Sequence, residues 1–157
     1  SAWRSSAVDL GWGGEIMASA SASHIAEYEI TDPVLGVTFD ASGNRNFTNF
    51  ARSLPKLRAS AAIDWSKGWM TGRLGLRHVS SYDDDENGGR EIDAWTVFDG
   101  RLSARLPAAL GSSAEASVGV LNMFDEQPPF VATPLGYDTK VHDPRGRVAY
   151  VRLAWRG

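Results

Sequence analysis

Apolar and polar residues alternate along most of this chain with a period of two. From Met70 to Tyr82 one set of positions is Met70, Gly72, Leu74, Leu76, His78, Ser80 and Tyr82, and the other is Thr71, Arg73, Gly75, Arg77, Val79 and Ser81. Successive side chains of a strand point to opposite faces, so both arginines fall on one side. Ile92 to Leu106 repeats the pattern, with Asp93, Asp99, Arg101 and Arg105 set against Ile92, Ala94, Phe98, Leu102 and Leu106. Leu57 to Trp65 and Ala149 to Trp155 alternate as well, and weaker versions run from Arg4 to Trp12, Glu15 to Ile30 and Ser112 to Phe124. Helical spacing is missing, because Gly, Ser, Thr and β-branched residues interrupt every candidate. The pattern predicts an all-β chain of about seven strands.

The alternating spans run about 9 to 16 residues, longer than the ~5–6 of strands in globular proteins and matched to the ~9–11 that cross a bilayer. Full charges in mid-strand suit a water-filled lumen, since a dry interior would have to pair or exclude them. A soluble sandwich that turns its polar face to water produces the same period. Connection lengths favour the membrane. Gly13-Gly14, Ser66-Lys67-Gly68 and Pro107 to Gly111 are short, Thr31 to Arg52 and Asp125 to Pro144 are long, and Asp83 to Glu91 is intermediate. Short turns alternating with longer loops predict an antiparallel up-and-down transmembrane β-barrel segment. Trp12, Trp65 and Trp155 then lie on the apolar face beside the short connections or the chain end, and Tyr28, Tyr82 and Phe124 beside the longer ones, forming two interfacial girdles.

Composition narrows the choice. The 157 residues include no cysteine, which excludes a disulfide scaffold and a cysteine-ligated metal. A formal net charge of −3 gives no sign of a nucleic-acid partner. No run is long and apolar enough for a membrane helix, and Ser1-Ala2-Trp3-Arg4 lacks the basic-then-apolar form of a signal segment. With the short turns on the periplasmic side, the first span starts outside the cell, which is not where a complete chain delivered from the periplasm begins. An unclosed sheet would also leave edge N–H and C=O groups in hydrocarbon. The expectation is the C-terminal part of a larger barrel, or a chain that another chain completes.

The run Val120-Leu121-Asn122-Met123-Phe124-Asp125-Glu126-Gln127-Pro128-Pro129-Phe130-Val131, then Gly136-Tyr137-Asp138, then His142-Asp143-Pro144-Arg145-Gly146-Arg147 and a closing aromatic strand, resembles the end of a TonB-dependent outer-membrane receptor. Phe50-Ala51-Arg52-Ser53-Leu54-Pro55-Lys56 with the following Trp65 is similar to late strands of that family. The resemblance covers most of the chain and is strongest from Ile92 onward. It implies a location in the bacterial outer membrane and a monomeric barrel of about 22 strands. An N-terminal plug that carries the TonB contact closes such a barrel; neither plug nor contact motif is among these residues. The implied activity is uptake of a scarce small-molecule ligand such as a ferric siderophore, cobalamin or glycan, with outer-membrane lipid, the rest of the barrel and its plug, and the TonB complex as partners. One departure is Tyr150, which stands where the family's terminal assembly signal has glycine, with Arg156-Gly157 after Trp155. The alternatives are a passive porin-like or structural outer-membrane barrel and a soluble β-sheet binding domain.

Candidate chemistry is sparse. Asp83, Asp85, Asn87 and Gly88 have the D-x-D-x-N-G spacing of a calcium loop, but Ala94 stands at the twelfth position where a bidentate Glu is needed, leaving Glu91 or Asp93 as substitutes. A solvated acidic loop is the plainer expectation. His24, His78 and His142 show no metal-ligand spacing, and no nucleophile–base pair, phosphate-binding loop or carboxylate pair stands out, so neither an enzyme nor a cofactor is expected. Arg73, Arg77, Arg101 and Arg105 share one face of neighbouring strands and are the candidate contacts for ligand or plug, unless Asp64, Asp93 and Asp99 neutralise them. Asp143-Pro144-Arg145-Gly146 predicts a turn, Pro128-Pro129 an extended exit from a strand, and Asn122 a cap on a loop backbone group.

Overall fold

The computed structural model describes residues 1–11, 14–47, 51–106 and 113–156. Trp12, Gly13, Phe50 and the Pro107 to Gly111 connection lie outside them. The described residues are all-β, with no helix. Twelve strands follow in order: β1 (Ala2–Arg4), β2 (Val8–Asp9), β3 (Glu15–His24), β4 (Glu29–Thr31), β5 (Thr38–Asp40), β6 (Leu57–Lys67), β7 (Met70–Val79), β8 (Tyr82–Asp84), β9 (Arg90–Ile92), β10 (Trp95–Leu106), β11 (Ser113–Leu121) and β12 (Val148–Arg156).

The main sheet runs β1-β3-β6-β7-β10-β11-β12, with β2 also on β3, and each pairing within it is antiparallel. Seven sheet positions therefore hold the seven expected spans in sequence order. The first position is two short pieces rather than one long strand. Between them Ser5 donates its N–H to the Ala18 carbonyl at 2.8 Å while its Oγ accepts from the Ala18 N–H at 2.9 Å, so a side chain replaces one rung of the ladder. A short, interrupted outer strand is a common way to blunt an edge. β6 and β7 are joined by the two-residue turn Gly68-Trp69, where Gly68 takes φ 56°, a left-handed conformation that glycine adopts without strain.

Register sorts the residues cleanly. One face carries Ile16, Ala18 and Ala20 on β3, Ala61, Ile63 and Trp65 on β6, and Leu74 and Leu76 on β7. It continues through Phe98 and Leu102 on β10, Val118 and Val120 on β11, and Val151, Leu153 and Trp155 on β12. The other face carries Ser19, Ser21, Ser60, Asp64, Arg73, Arg77, Asp99, Arg101, Arg105 and Arg152. The described residues leave most of the apolar face uncovered: Leu102, Val151 and Trp155 are 51%, 74% and 64% exposed.

The buried core lies elsewhere, among the loops at one end of the sheet. Tyr82, Ile92 and Val131 cluster there with Val141 against them. Beneath them Val79, Trp95 and Val97, on the polar face of β7 and β10, are buried too. Three expected boundaries are corrected here. The Glu15 to Ile30 span ends at His24, and Ile30 belongs to β4, which pairs with β5 in a sheet of its own. The Met70 and Ile92 spans break at Ser80-Ser81 and Asp93-Ala94, and β8 and β9 pair with each other as a separate hairpin. Tyr82 is therefore a core residue of the loops and no part of a surface girdle, whereas Tyr28 and Phe124 are exposed.

Candidate functional site

The four candidate arginines lie on one face, as their spacing requires, at successive levels of β7 and β10. Arg77 forks onto Asp99, with Nε and Nη2 donating at 3.1 and 3.3 Å. Arg73 donates from Nη1 to both oxygens of Asp64 at 2.8 Å. These pairs are partly solvent-exposed and so worth little stability, about 0–1 kcal/mol. Arg101 sits directly opposite Arg73 in the β10–β7 register. Like charges in that position repel. Among the described residues no carboxylate lies within ion-pairing distance of Arg101 or Arg105, although Arg105 is level with Glu115. Asp93, expected as a third neutralising carboxylate, is in the loop before β10 and pairs with none of them.

Tyr150 has a positive role at the position where an assembly glycine was expected. It is level with Gly119, and a Cβ built on Gly119 would fall 2.4 Å from the Tyr150 ring. The ring therefore lies flat over the glycine, covering backbone that would otherwise be bare, beside Arg101 on the adjoining strand. Arg4, Arg73, Arg77, Arg101, Asp99 and Tyr150 border a hollow of about 660 Å³ on the polar face.

At the loop end the hollow gives way to a bonded cap. Arg45 donates from Nη1 to Asp84 and Glu86, each at 2.9 Å, while the Arg45 N–H and Asp83 N–H bond across to Asp83 and Gly43 carbonyls. Burial pushes the Asp84 carboxyl up, but donors from Asn87 and Arg45 outweigh it and hold it below the usual range. Tyr82 donates to Asp138 at 2.9 Å. Burial, reinforced by the Asp138 charge, pushes that phenol up. Burial also raises Asp138, but the Ser53 hydroxyl, the Lys140 N–H and Tyr82 prevail and its carboxyl stays low. His142 stacks on Tyr82 at 6.2 Å and meets Trp95 edge-on at 5.4 Å, with no hydrogen-bond partner for either ring nitrogen among the described residues. Burial therefore lowers its pKa, against the pull of Asp138.

Of the residues with calcium spacing, Asp83 lies in the β8 ladder opposite Glu91, and Asn87 donates from Nδ2 to Asp84 at 2.6 Å, while Arg45 also holds Asp84. Asp85 accepts the Phe47 N–H. Among the described residues no three His, Asp or Glu side chains gather as a metal site. Two smaller expectations hold. Asn122 caps its loop, exchanging side-chain bonds with the Glu126 backbone at 2.9 Å, and Asp143 accepts the Arg145 N–H in a turn ended by Gly146 at φ 62°. The Arg145 side chain bonds Asp143 as well and lowers its carboxyl to about 2.

The cap network went unforeseen. Its one sequence signal was an arginine in a Gly-Asn-Arg-Asn segment that could answer the acidic run from Asp83 to Glu86. No family model, curated protein or solved structure matches the chain.

Proposed function

We infer that the chain is wall and outer loops of a larger outer-membrane β-barrel, the C-terminal part of a TonB-dependent receptor. The supporting observation is the exposed apolar face, which continues across the long strands and is left largely uncovered by the described residues. A water-soluble domain hides such a surface in a core, and a barrel wall gives it to hydrocarbon. The opposite, arginine-bearing face then lines the lumen, and the two outer positions of the sheet join the rest of the barrel.

In this role the chain is one part of a transporter and does not transport alone. A scarce ligand, such as a ferric siderophore, cobalamin or glycan, is held at the mouth by loops that include residues 31–52 and 125–144. It passes when the TonB complex, working through the plug, clears the lumen. The loop cap keeps the mouth residues in place, so capture does not have to order them first.

The test is the environment of individual tryptophans in single-Trp variants of the chain refolded into phosphatidylcholine vesicles. Brominated acyl chains are expected to quench Trp65 and Trp155 and to leave Trp95 bright. Monodisperse behaviour in detergent-free buffer, with no quenching of Trp155, would overturn the proposal.

A further inference from the structure

We propose that the hollow on the polar face is a binding site for a small solute carrying two or more oxyanion groups, phosphate or carboxylate. The proposal rests on that face lining the lumen and adds the class of solute that the wall recognises. Four guanidinium groups, those of Arg4, Arg73, Arg77 and Arg101, border the hollow. Among the described residues two carboxylates stand beside them: Asp64 is taken by Arg73 at 2.8 Å, and Asp99, which lines the hollow, is engaged by Arg77 and by the Asn122 N–H at 2.9 Å. Guanidinium is a permanent cation with a planar fork that matches the geometry of these oxyanions.

Two further observations point to an occupant. Arg73 and Arg101 are directly opposed across the ladder with one carboxylate, Asp64, between the two of them, so the pairing keeps an uncompensated positive charge that an anion would settle. The floor is also open. A Cβ on Gly75 would meet nothing closer than the Ala61 and Asp99 carbonyl oxygens at 3.9 Å, which leaves room for a ligand beside Arg77 and Arg101. The serine hydroxyls along one margin, with Ser21 and Ser60 bonded to each other at 2.8 Å, add neutral donors.

The experiment is calorimetric titration of pyrophosphate into the detergent-solubilised chain. Saturable binding is expected, weakened at least about tenfold by Arg101→Gln, because hydrogen bonds to charged groups are the strong class. Gly75→Leu, which fills the floor and removes no charge, is expected to cause a similar loss. Arg145→Gln, in a loop outside the hollow, should leave the affinity unchanged. Circular dichroism checks that each variant keeps its strands. No saturable heat, or equal binding by Arg101→Gln and Arg145→Gln, overturns the proposal. Binding of a polyglutamate peptide without binding of pyrophosphate also overturns it, and assigns the face to an acidic protein segment. The bromine-quenching experiment is separate: quenching without pyrophosphate binding removes the solute site alone, and pyrophosphate binding without quenching removes the barrel wall alone.

Discussion

The sheet and the loop cap are built on opposite principles. The sheet has long, regular pairing and almost no interior: Val151 is 74% exposed on its apolar face, and its ion pairs Arg73–Asp64 and Arg77–Asp99 are open to solvent. The cap has short, irregular pairing and a dense interior in which Ile92 and Val131 are each 2% exposed, and Arg45 and Asp84 are bonded out of water. Burial of each such aliphatic side chain contributes about 1.5–3 kcal/mol. The cap thus supplies its own surroundings, while the sheet takes its surroundings from whatever lies against it.

Breaking the cap from within should have the largest effect. Arg45→Ala leaves Asp84 buried without its partner and is expected to cost about 3–5 kcal/mol of cap stability. Hydrogen exchange should show protection lost at Gly43, Arg45 and Asp83 and kept along β6 and β7. The converse test strikes the sheet from outside. Leu102→Arg should cost about 2–4 kcal/mol in a bilayer, as a cation on the lipid side, and almost nothing in a water-soluble sheet, where Leu102 is exposed anyway. Urea titrations of vesicle-inserted protein would measure it.

Gly119→Ala probes the tightest of the glycine contacts in the sheet. The added methyl group meets the Tyr150 ring and should cost about 1–3 kcal/mol, recovered when Tyr150 is also shortened to Ala. The smallest effect is that of pH on the cap. His142 is lowered by burial, so the folded cap binds a proton less readily than the unfolded chain does. Its contribution is complete above about pH 6.5 and falls away as the pH drops below that value. Asp84 and Asp138 are also held low, so their share is lost further down, below about pH 4. Urea melts followed by Trp95 fluorescence should show both steps, and His142→Phe should remove only the upper one.

The sheet was legible in the sequence because a period of two survives wherever each face has a uniform environment. The number of sheet positions, their order and the sharing of one face by Arg73, Arg77, Arg101 and Arg105 follow from it, though the Glu15 to Ile30 span stops at His24. The same rule misplaced Tyr82 and Ile92, which keep the alternation of their neighbours but fold into their own hairpin after Ser80-Ser81 and before Asp93-Ala94. The cap left almost no trace, since Arg45, Tyr82, Val131, Asp138 and His142 come from three separate loops and no local period links them. Turn chemistry was readable where one residue suffices, as at Asn122 and Asp143. The Tyr150–Gly119 contact needed the strand register, because either residue alone states only a preference.

Neighbours in the main sheet alternate in direction across seven positions, so its two outermost strands point the same way. A copy set alongside with its strands keeping the same headings would therefore meet it strand-parallel, and the ladder could not continue in its own sense. If the sheet is the wall of a closed antiparallel barrel, as proposed above, the remainder must present a strand of the opposite heading at each border and so must contain an odd number of strands. For a barrel of the kind proposed, that parity rules out a ring of copies that all share one strand direction and gives a counting rule for whatever shares the wall with this sheet.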